Sequence, residues 1–207
     1  MTPEEQKAEQ IITHLKRSYG TIEWWPGDPE EVMIGAILTQ QTRWENVEIA
    51  LRRLREAGVC SLRGIDEASD CALEHAIFCT GFYRIKRDRL KCLARTVLSN
   101  GGIEQLREYS TPRLRAFFLA IKGIGPETAD SILCYGFNRP VFVIDAYTHR
   151  ICACAGISLR GEDLQALFQR MLPEDYRAHR QCHAWFVEYA KKYCIKKRCN
   201  ECMISNF

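Results

Sequence analysis

The chain reads as helix almost from end to end. "PEEQKAEQIITHLKRSYG" opens with proline and acids, gathers Ile11, Ile12, Leu15 and Tyr19 on one face, and stops at Gly20. "DPEEVMIGAILTQ" starts on Asp-Pro and is apolar almost all round, the pattern of an enclosed central helix. "RWENVEIALRRLREAG" is amphipathic and ends at Gly58. "YRIKRDRLKCLARTVLSNGG" turns Ile85, Leu90, Leu93, Val97 and Leu98 inward and ends on Asn-Gly-Gly. "TPRLRAFFLAI" and "PETADSILCYGF" flank a Gly-Ile-Gly, and "EDLQALFQRML" and "EDYRAHRQCHAWFVEYAKKYC" complete the set. Only "RPVFVI" (139–144) is strand-like; it is short and lacks a second run to pair with, so it reads as an extended connector. The fold class is all-α, with no repeat, low-complexity segment or long linker.

A chain of 207 residues suffices for one large domain or two small ones. With 46% hydrophobic and 27% charged residues it is globular in composition, and a net charge of +3 points to no partner, so local basic clusters must be weighed instead. No apolar run is long enough to cross a membrane and "MTPEEQKAEQ" is no signal peptide; a soluble, cytoplasmic protein with no membrane partner is expected. Of eleven cysteines, eight (Cys60, Cys71, Cys79, Cys92, Cys134, Cys152, Cys154 and Cys182) are scattered through apolar or helical segments, as reduced, packed thiols are. Cys194, Cys199 and Cys202 crowd the C-terminus and need another explanation.

The Gly-Ile-Gly carries the first chemistry. A helix is expected to end at Lys122, turn through Gly123, Ile124 and Gly125, and restart at Pro126, which suits a helix's first turn. Two glycines permit a tight turn and close approach, Ile124 plugs inward, and the turn amides with the new helix N-terminus form an anion site. This is the helix-hairpin-helix device for holding a DNA phosphate without reading sequence; an ordinary helical hairpin with a glycine turn fits the same residues. Asp145 then closes an apolar run, 20 residues past Gly125. A buried carboxylate is costly without partners, and an Asp here also suits a helix N-cap; one residue could do both jobs, capping a helix and stabilising a developing cation or orienting a water.

"KGIGPETADSILCYGFNRPVFVIDAYTHR" resembles the signature of the helix-hairpin-helix DNA glycosylase superfamily, the group that contains endonuclease III and the mismatch-specific adenine glycosylase. "WWPGDPEEVMIGAILTQQTRWENVEIAL" (24–51) and "GFYRIKRDRLKCLA" (81–94) are similar to its early helices, so the likeness spans most of the chain. It is nearest to the endonuclease III-related branch that includes bacterial 3-methyladenine DNA glycosylases. The resemblance implies two helical lobes: a six-helix lobe over 27–139 carrying the hairpin, and a second built from 1–26 and 140–207, with double-stranded DNA in the cleft and a damaged base flipped out. It implies a monomer working on the nucleoid in base excision repair, with Asp145 as the catalytic residue and Gly123, Ile124, Gly125, Lys122, Thr128 and Gln41 at the DNA, Gln41 filling the hole left by the flipped base. Gln40 is the other candidate for that hole.

The chemistry is coherent. A glycosylase extracts its base from the stack, and rupture of the N-glycosidic bond leaves oxocarbenium character that one carboxylate can stabilise. Bifunctional members place a lysine just past the hairpin as an amine nucleophile. Here that place holds Glu127, which cannot form an imine, and Lys122 would face the wrong way, so a monofunctional enzyme with water as nucleophile is expected. In the alkyladenine branch aromatics at the places of Trp24, Trp25 and Trp44 line the base pocket, where an aromatic face would attract a cationic alkylated purine such as 3-methyladenine; core packing would also account for them. Basic residues cluster at Arg84, Lys86, Arg87, Arg89 and Lys91 and at Lys191, Lys192, Lys196, Lys197 and Arg198, as phosphate contacts or as a solvated face.

"YCIKKRCNEC" resembles the C-terminal loop in which relatives hold a 4Fe-4S iron–sulfur cluster on four cysteines. The first spacing is shorter here, and no fourth cysteine is evident up to Phe207. Cys194, Cys199 and Cys202 are expected as metal ligands in a structural role, with zinc aided by His179 or His183, or plain thiols, as the alternatives. Two other functions stay open: an endonuclease III-like glycosylase/AP lyase acting on oxidised pyrimidines, and a non-catalytic damage-binding protein.

Overall fold

The computed structural model describes residues 1–23 and 27–207. Among these it has twelve α-helices and no strand. In chain order they are α1 (Pro3–Tyr19), α2 (Pro29–Leu38), α3 (Trp44–Glu56), α4 (Leu62–Glu67), α5 (Asp70–Ile77), α6 (Tyr83–Ser99), α7 (Gly102–Arg107), α8 (Thr111–Leu119), α9 (Pro126–Ser131), α10 (Ala146–Cys154), α11 (Gly161–Met171) and α12 (Tyr176–Tyr189). The all-α class is as expected. The periodic pattern missed α4, α5 and α7, which have six, eight and six residues and so show barely two turns of periodicity. Helix α8 stops at Leu119, short of Lys122.

The chain folds as two compact units, Gly27–Phe137 and the pair of segments Met1–Pro26 and Asn138–Phe207. In the first, α2 is the central rod. Asp28 caps it by accepting from the Glu31 amide at 2.9 Å, and every residue from Val32 to Leu38 is buried. Helices α3, α6 and α9 and the wider π-type turn Ile132–Gly136 pack around it. Its C-terminal end is closed by Lys86 of α6, which is only 1% exposed. Lys86 Nζ donates at 2.8 Å to the carbonyls of both Leu38 and Thr80. A cation at a helix C-terminus meets the negative end of the helix dipole, which repays part of its desolvation.

In the second unit, Ala8, Ile11 and Leu15 of α1 pack with Trp185, Phe186 and Tyr189 of α12. Its centre is aromatic: Phe142 stacks on Phe168 at 4.7 Å between centroids, and Phe186 meets Phe168 edge-on at 5.3 Å. Phe142 belongs to the connector, whose residues Val141, Phe142 and Val143 are all buried. Extended backbone in a core needs hydrogen-bond partners, which a sheet would ordinarily provide. Here two glutamines of α11 take that place: Gln165 Nε2 donates to Phe142 O at 2.7 Å, and Phe142 N donates to Gln169 Oε1 at 3.2 Å. The strand-like run is therefore a connector pinned at its middle, and it delivers Asp145 three residues later.

Candidate nucleic-acid interface and buried carboxylate

In the unit of residues 27–137, α8 and α9 form a helical hairpin across Gly123, Ile124 and Gly125. Ile124 is buried and plugs the turn from inside. Gly123 has φ +91°, a left-handed conformation that favours glycine, and a β-carbon there would stand 2.6 Å from Arg89 Nε. Gly125 differs: its φ of −95° suits any residue, and a β-carbon would meet nothing within 4 Å. Neither glycine amide donates to another group among the described residues. Lys122 beside them is exposed.

Buried polar contacts hold this turn. Arg115 of α8 grips Asp130 of α9 through Nε–Oδ1 at 2.7 Å and Nη2–Oδ2 at 3.3 Å. Gln40, just past α2, donates from Nε2 to Gly123 O at 3.0 Å and to Thr128 Oγ1 at 3.1 Å, while its Oε1 accepts from Arg89. Gln40 is thus a brace. Gln41, next in the chain, is exposed with φ +54°. Thr128, expected at the DNA, is turned inward onto Gln40 and is buried.

The basic run of α6 is likewise corrected. Lys86 is buried, Arg89 is committed to Gln40, and Lys91 Nζ donates to Ala68 O at 2.7 Å. Arg87 pairs with Glu74, Asp70 and Asp88. These four brace the unit internally, because α6 has acidic groups and carbonyl ends facing it; of the five, only Arg84 is mostly exposed, with Glu74 at 3.8 Å. The pattern gave no sign of Phe82, which is 61% exposed at φ +48°. Lys86, by bonding both Leu38 O and Thr80 O, ties the turn carrying Gln41 to the turn carrying Phe82.

Trp44 is half-buried at the start of α3, and Trp24 and Trp25 lie outside the described residues.

In the other unit, Asp145 caps α10. Its Oδ1 accepts from the Thr148 amide at 2.7 Å and from Thr148 Oγ1 at 2.8 Å. Its Oδ2 faces His183 Nε2 of α12 at 3.5 Å, and the residue is 9% exposed. Burial pushes the carboxyl up, but His183 and Thr148 outweigh it and hold it below the usual carboxylate range. The result is an ionised, nearly buried carboxylate with one oxygen committed to the helix. The sequence suggests His183 only as a metal ligand, because a contact 38 positions away leaves no local pattern.

At the C-terminus, burial and then the neighbouring thiols of Cys202, Cys154 and Cys199 push the Cys194 thiol up. Among the described residues no three His, Cys, Asp or Glu side chains converge to hold a metal. The short spacing after Cys194 is taken up in helical turns, with Ile195 N bonded to Ala190 O and Arg198 N to Tyr193 O. Cys202 Sγ lies 3.2 Å from the Tyr189 hydroxyl, and Cys199 is exposed. His179 Nε2 faces Pro173 O at 3.1 Å and His183 faces Asp145, so neither completes a zinc site. Nor are the other eight cysteines uniformly packed: Cys71 and Cys154 are exposed. No helix of the described residues is long and apolar enough to cross a membrane.

The chain matches the description "HhH-GPD superfamily base excision DNA repair protein" over residues 34–174. It is 38% identical to a Methanocaldococcus jannaschii protein that bears the name of a DNA repair glycosylase, covering 96% of this chain and 94% of that one. It is 27% identical to endonuclease III of Thermotoga maritima, covering 98% and 90%. Its fold is similar to that of H. pylori 3-methyladenine DNA glycosylase bound to 1,N6-ethenoadenine, with a TM-score of 0.78, 26% identity, and coverage of 92% of this chain and 98% of that one. An endonuclease III–DNA complex gives a TM-score of 0.80 at 17% identity, covering 99% and 94%, a likeness of fold. The hairpin and the capped aspartate thus lie within the stretch that the family shares, and the chain belongs to the HhH-GPD superfamily of base excision DNA repair glycosylases.

Proposed function

We propose that this glycosylase is monofunctional and hydrolyses the N-glycosidic bond of an alkylated purine, such as 3-methyladenine, in double-stranded DNA. The observation that carries the reading is the nearly buried Asp145 carboxylate, held by Thr148 and His183, in a chain whose exposed first turn of α9 carries the carboxylate Glu127 and no amine. As the bond between C1′ and the base nitrogen breaks, its electron pair leaves with the base and positive charge develops on the sugar. A fixed carboxylate stabilises that charge. Water adds its oxygen to C1′ and releases a proton, leaving an intact abasic site.

In this reading the Gly123 and Gly125 amides with Lys122 hold a phosphate, and Gln41 and Phe82 enter the duplex from their adjoining turns. An exposed polar side chain and an exposed apolar one on turns tied together by Lys86 suit a gap in a base stack. Trp44 supplies an aromatic face for the cationic base. The name of the H. pylori neighbour supports the alkylpurine class. No step is assigned to Cys194, Cys199 or Cys202.

The test is release of methylated purines from dimethyl sulfate-treated duplex DNA, run with a duplex containing thymine glycol. Release from the first with no strand cleavage before alkali, and no adduct trapped by borohydride, is expected. Borohydride trapping on the thymine glycol duplex would replace this reading with the glycosylase/lyase one.

A further inference from the structure

We infer that His183 is a positioning residue for the Asp145 carboxylate, supporting its second oxygen for base release; this rests on the assignment of Asp145 above. The geometry is a two-point mount. Oδ1 is pinned from α10 by both donors of Thr148, at 2.7 and 2.8 Å. Both of those bonds act on Oδ1 and leave Oδ2 to another group. The second point is His183 Nε2 on α12, 3.5 Å from Oδ2. At that length the contact is electrostatic more than a well-aligned hydrogen bond. Such contacts tighten when substrate completes a site.

The two residues are anchored independently. Helix α12 is packed on α1 and α10 through Cys182, Trp185 and Phe186, which flank His183 in sequence and are buried. Asp145 is placed by the connector, through Phe142 and the two glutamines of α11. Bringing these anchors together puts an imidazole where the carboxylate has lost its water. Without it, Oδ2 would lose its charged or polar neighbour from α12 in a desolvated setting, and the neutral acid would gain ground. A protonated Asp145 stabilises no cation.

Among the described residues, two titratable groups act on the carboxylate or are acted on by it. His183 faces it from α12, and Cys152 is coupled to it from its own helix. Burial pushes the Cys152 thiol up to about 12, so that group stays neutral through the working range. The acid limb of the pH–rate profile therefore reports Asp145 as tuned by His183.

The experiment compares wild type with His183→Leu, which removes the polar group, His183→Gln, which keeps a donor, and Asp145→Asn. Single-turnover purine release from dimethyl sulfate-treated duplex is followed from pH 4 to 9. The Asp145 carboxyl carbon is titrated by 13C NMR in the wild type and the two His183 variants, and affinity is measured in all four proteins for a duplex with a tetrahydrofuran abasic analogue. In His183→Leu the carboxyl midpoint and the acid limb should both rise, so that release falls off at a higher pH than in the wild type while release near pH 8 changes less. His183→Gln should lie between the two, and abasic-duplex affinity should change less than release. Unchanged midpoints in His183→Leu would overturn the inference, even with slower release. If Asp145→Asn releases purines at the wild-type rate, the assignment of Asp145 fails instead, and the NMR titration still reports on the contact. Should His183→Leu not fold, the midpoint and profile of His183→Gln decide: neither moving rejects the role.

Discussion

The side chain of Arg89 lies across the α-carbon of Gly123, leaving no room there for a β-carbon, whereas Gly125 two residues on opens onto empty space. The two glycines of the hairpin thus answer to different demands. Gly123→Ala would combine a strained left-handed φ with a clash and should cost roughly 1–3 kcal/mol of stability. Gly125→Ala should leave stability within about 0.5 kcal/mol but weaken binding to an abasic-analogue duplex several-fold, since only an incoming ligand needs that space. Urea denaturation and fluorescence anisotropy on both variants check the pair; equal destabilisation by the two would contradict it.

Arg115 and Asp130 close the same hairpin from beneath. Asp130 is buried and Arg115 mostly so. Removing one partner of a buried pair strands the other charge and typically costs about 3–5 kcal/mol. Asp130→Ala should therefore destabilise the protein strongly, and the double variant Arg115→Met/Asp130→Leu much less. A double variant that is worse than the sum of its parts would show that the pair is not the source of the cost.

Lys86 ties stability to alkaline pH. Burial, then Arg89, lowers its amine from 10.5 to about 8. Below about 8 both folded and unfolded chains hold the proton, and nothing changes. Between about 8 and 10.5 the folded state releases it first, the unfolded state binds more protons, and stability rises with pH. Lys86→Met should abolish that rise while lowering stability at neutral pH, because the Leu38 and Thr80 carbonyls lose their donor. Denaturation midpoints from pH 7 to 10.5 would show it.

Asp145→Asn keeps the shape of the N-cap and removes the charge. Base release should fall by about two or more orders of magnitude with abasic-duplex binding retained, the size expected for a preorganised charge at a developing cation. The sign of its pH linkage follows from a lowered pKa: the stabilisation is complete above the ordinary value of 3.8 and is lost as pH falls through the folded value below it. Wild-type protein should lose stability under acid in this range more steeply than Asp145→Asn. Parallel acid denaturation curves would reject the linkage.

Much of the molecule is written in local pattern. The long helices announce themselves because burying one face imposes a 3.6-residue rhythm on the chain, and α1, α3, α6, α11 and α12 each have enough turns to show it, while α2, enclosed on all sides, shows as a run apolar all round. Gly-Ile-Gly before proline, and an aspartate closing an apolar run, are equally local, since a turn and an N-cap are each set within four residues. The inward Ile124 and the capping Asp145 could be read from such stretches.

The partners of those residues could not. Arg89 is 34 positions from Gly123, His183 is 38 from Asp145, and Gln40 is 88 from Thr128. Nothing in a neighbouring turn constrains such pairs; packing alone brings them together. The same reason converts the basic run of α6 from an apparent phosphate stripe into internal braces, for a lysine's charge is plain in sequence while the carbonyls at the end of α2 that enclose it are not. The C-terminal cysteines are a further case: their spacing suggests a shared metal, but where their side chains stand depends on how the helical turns after Cys194 are packed. Helical class and the placing of a hairpin and an aspartate rest on interactions within a few residues. Which charges are spent on the fold, and which are left for DNA, depends on contacts between distant segments and comes into being only when the chain is packed.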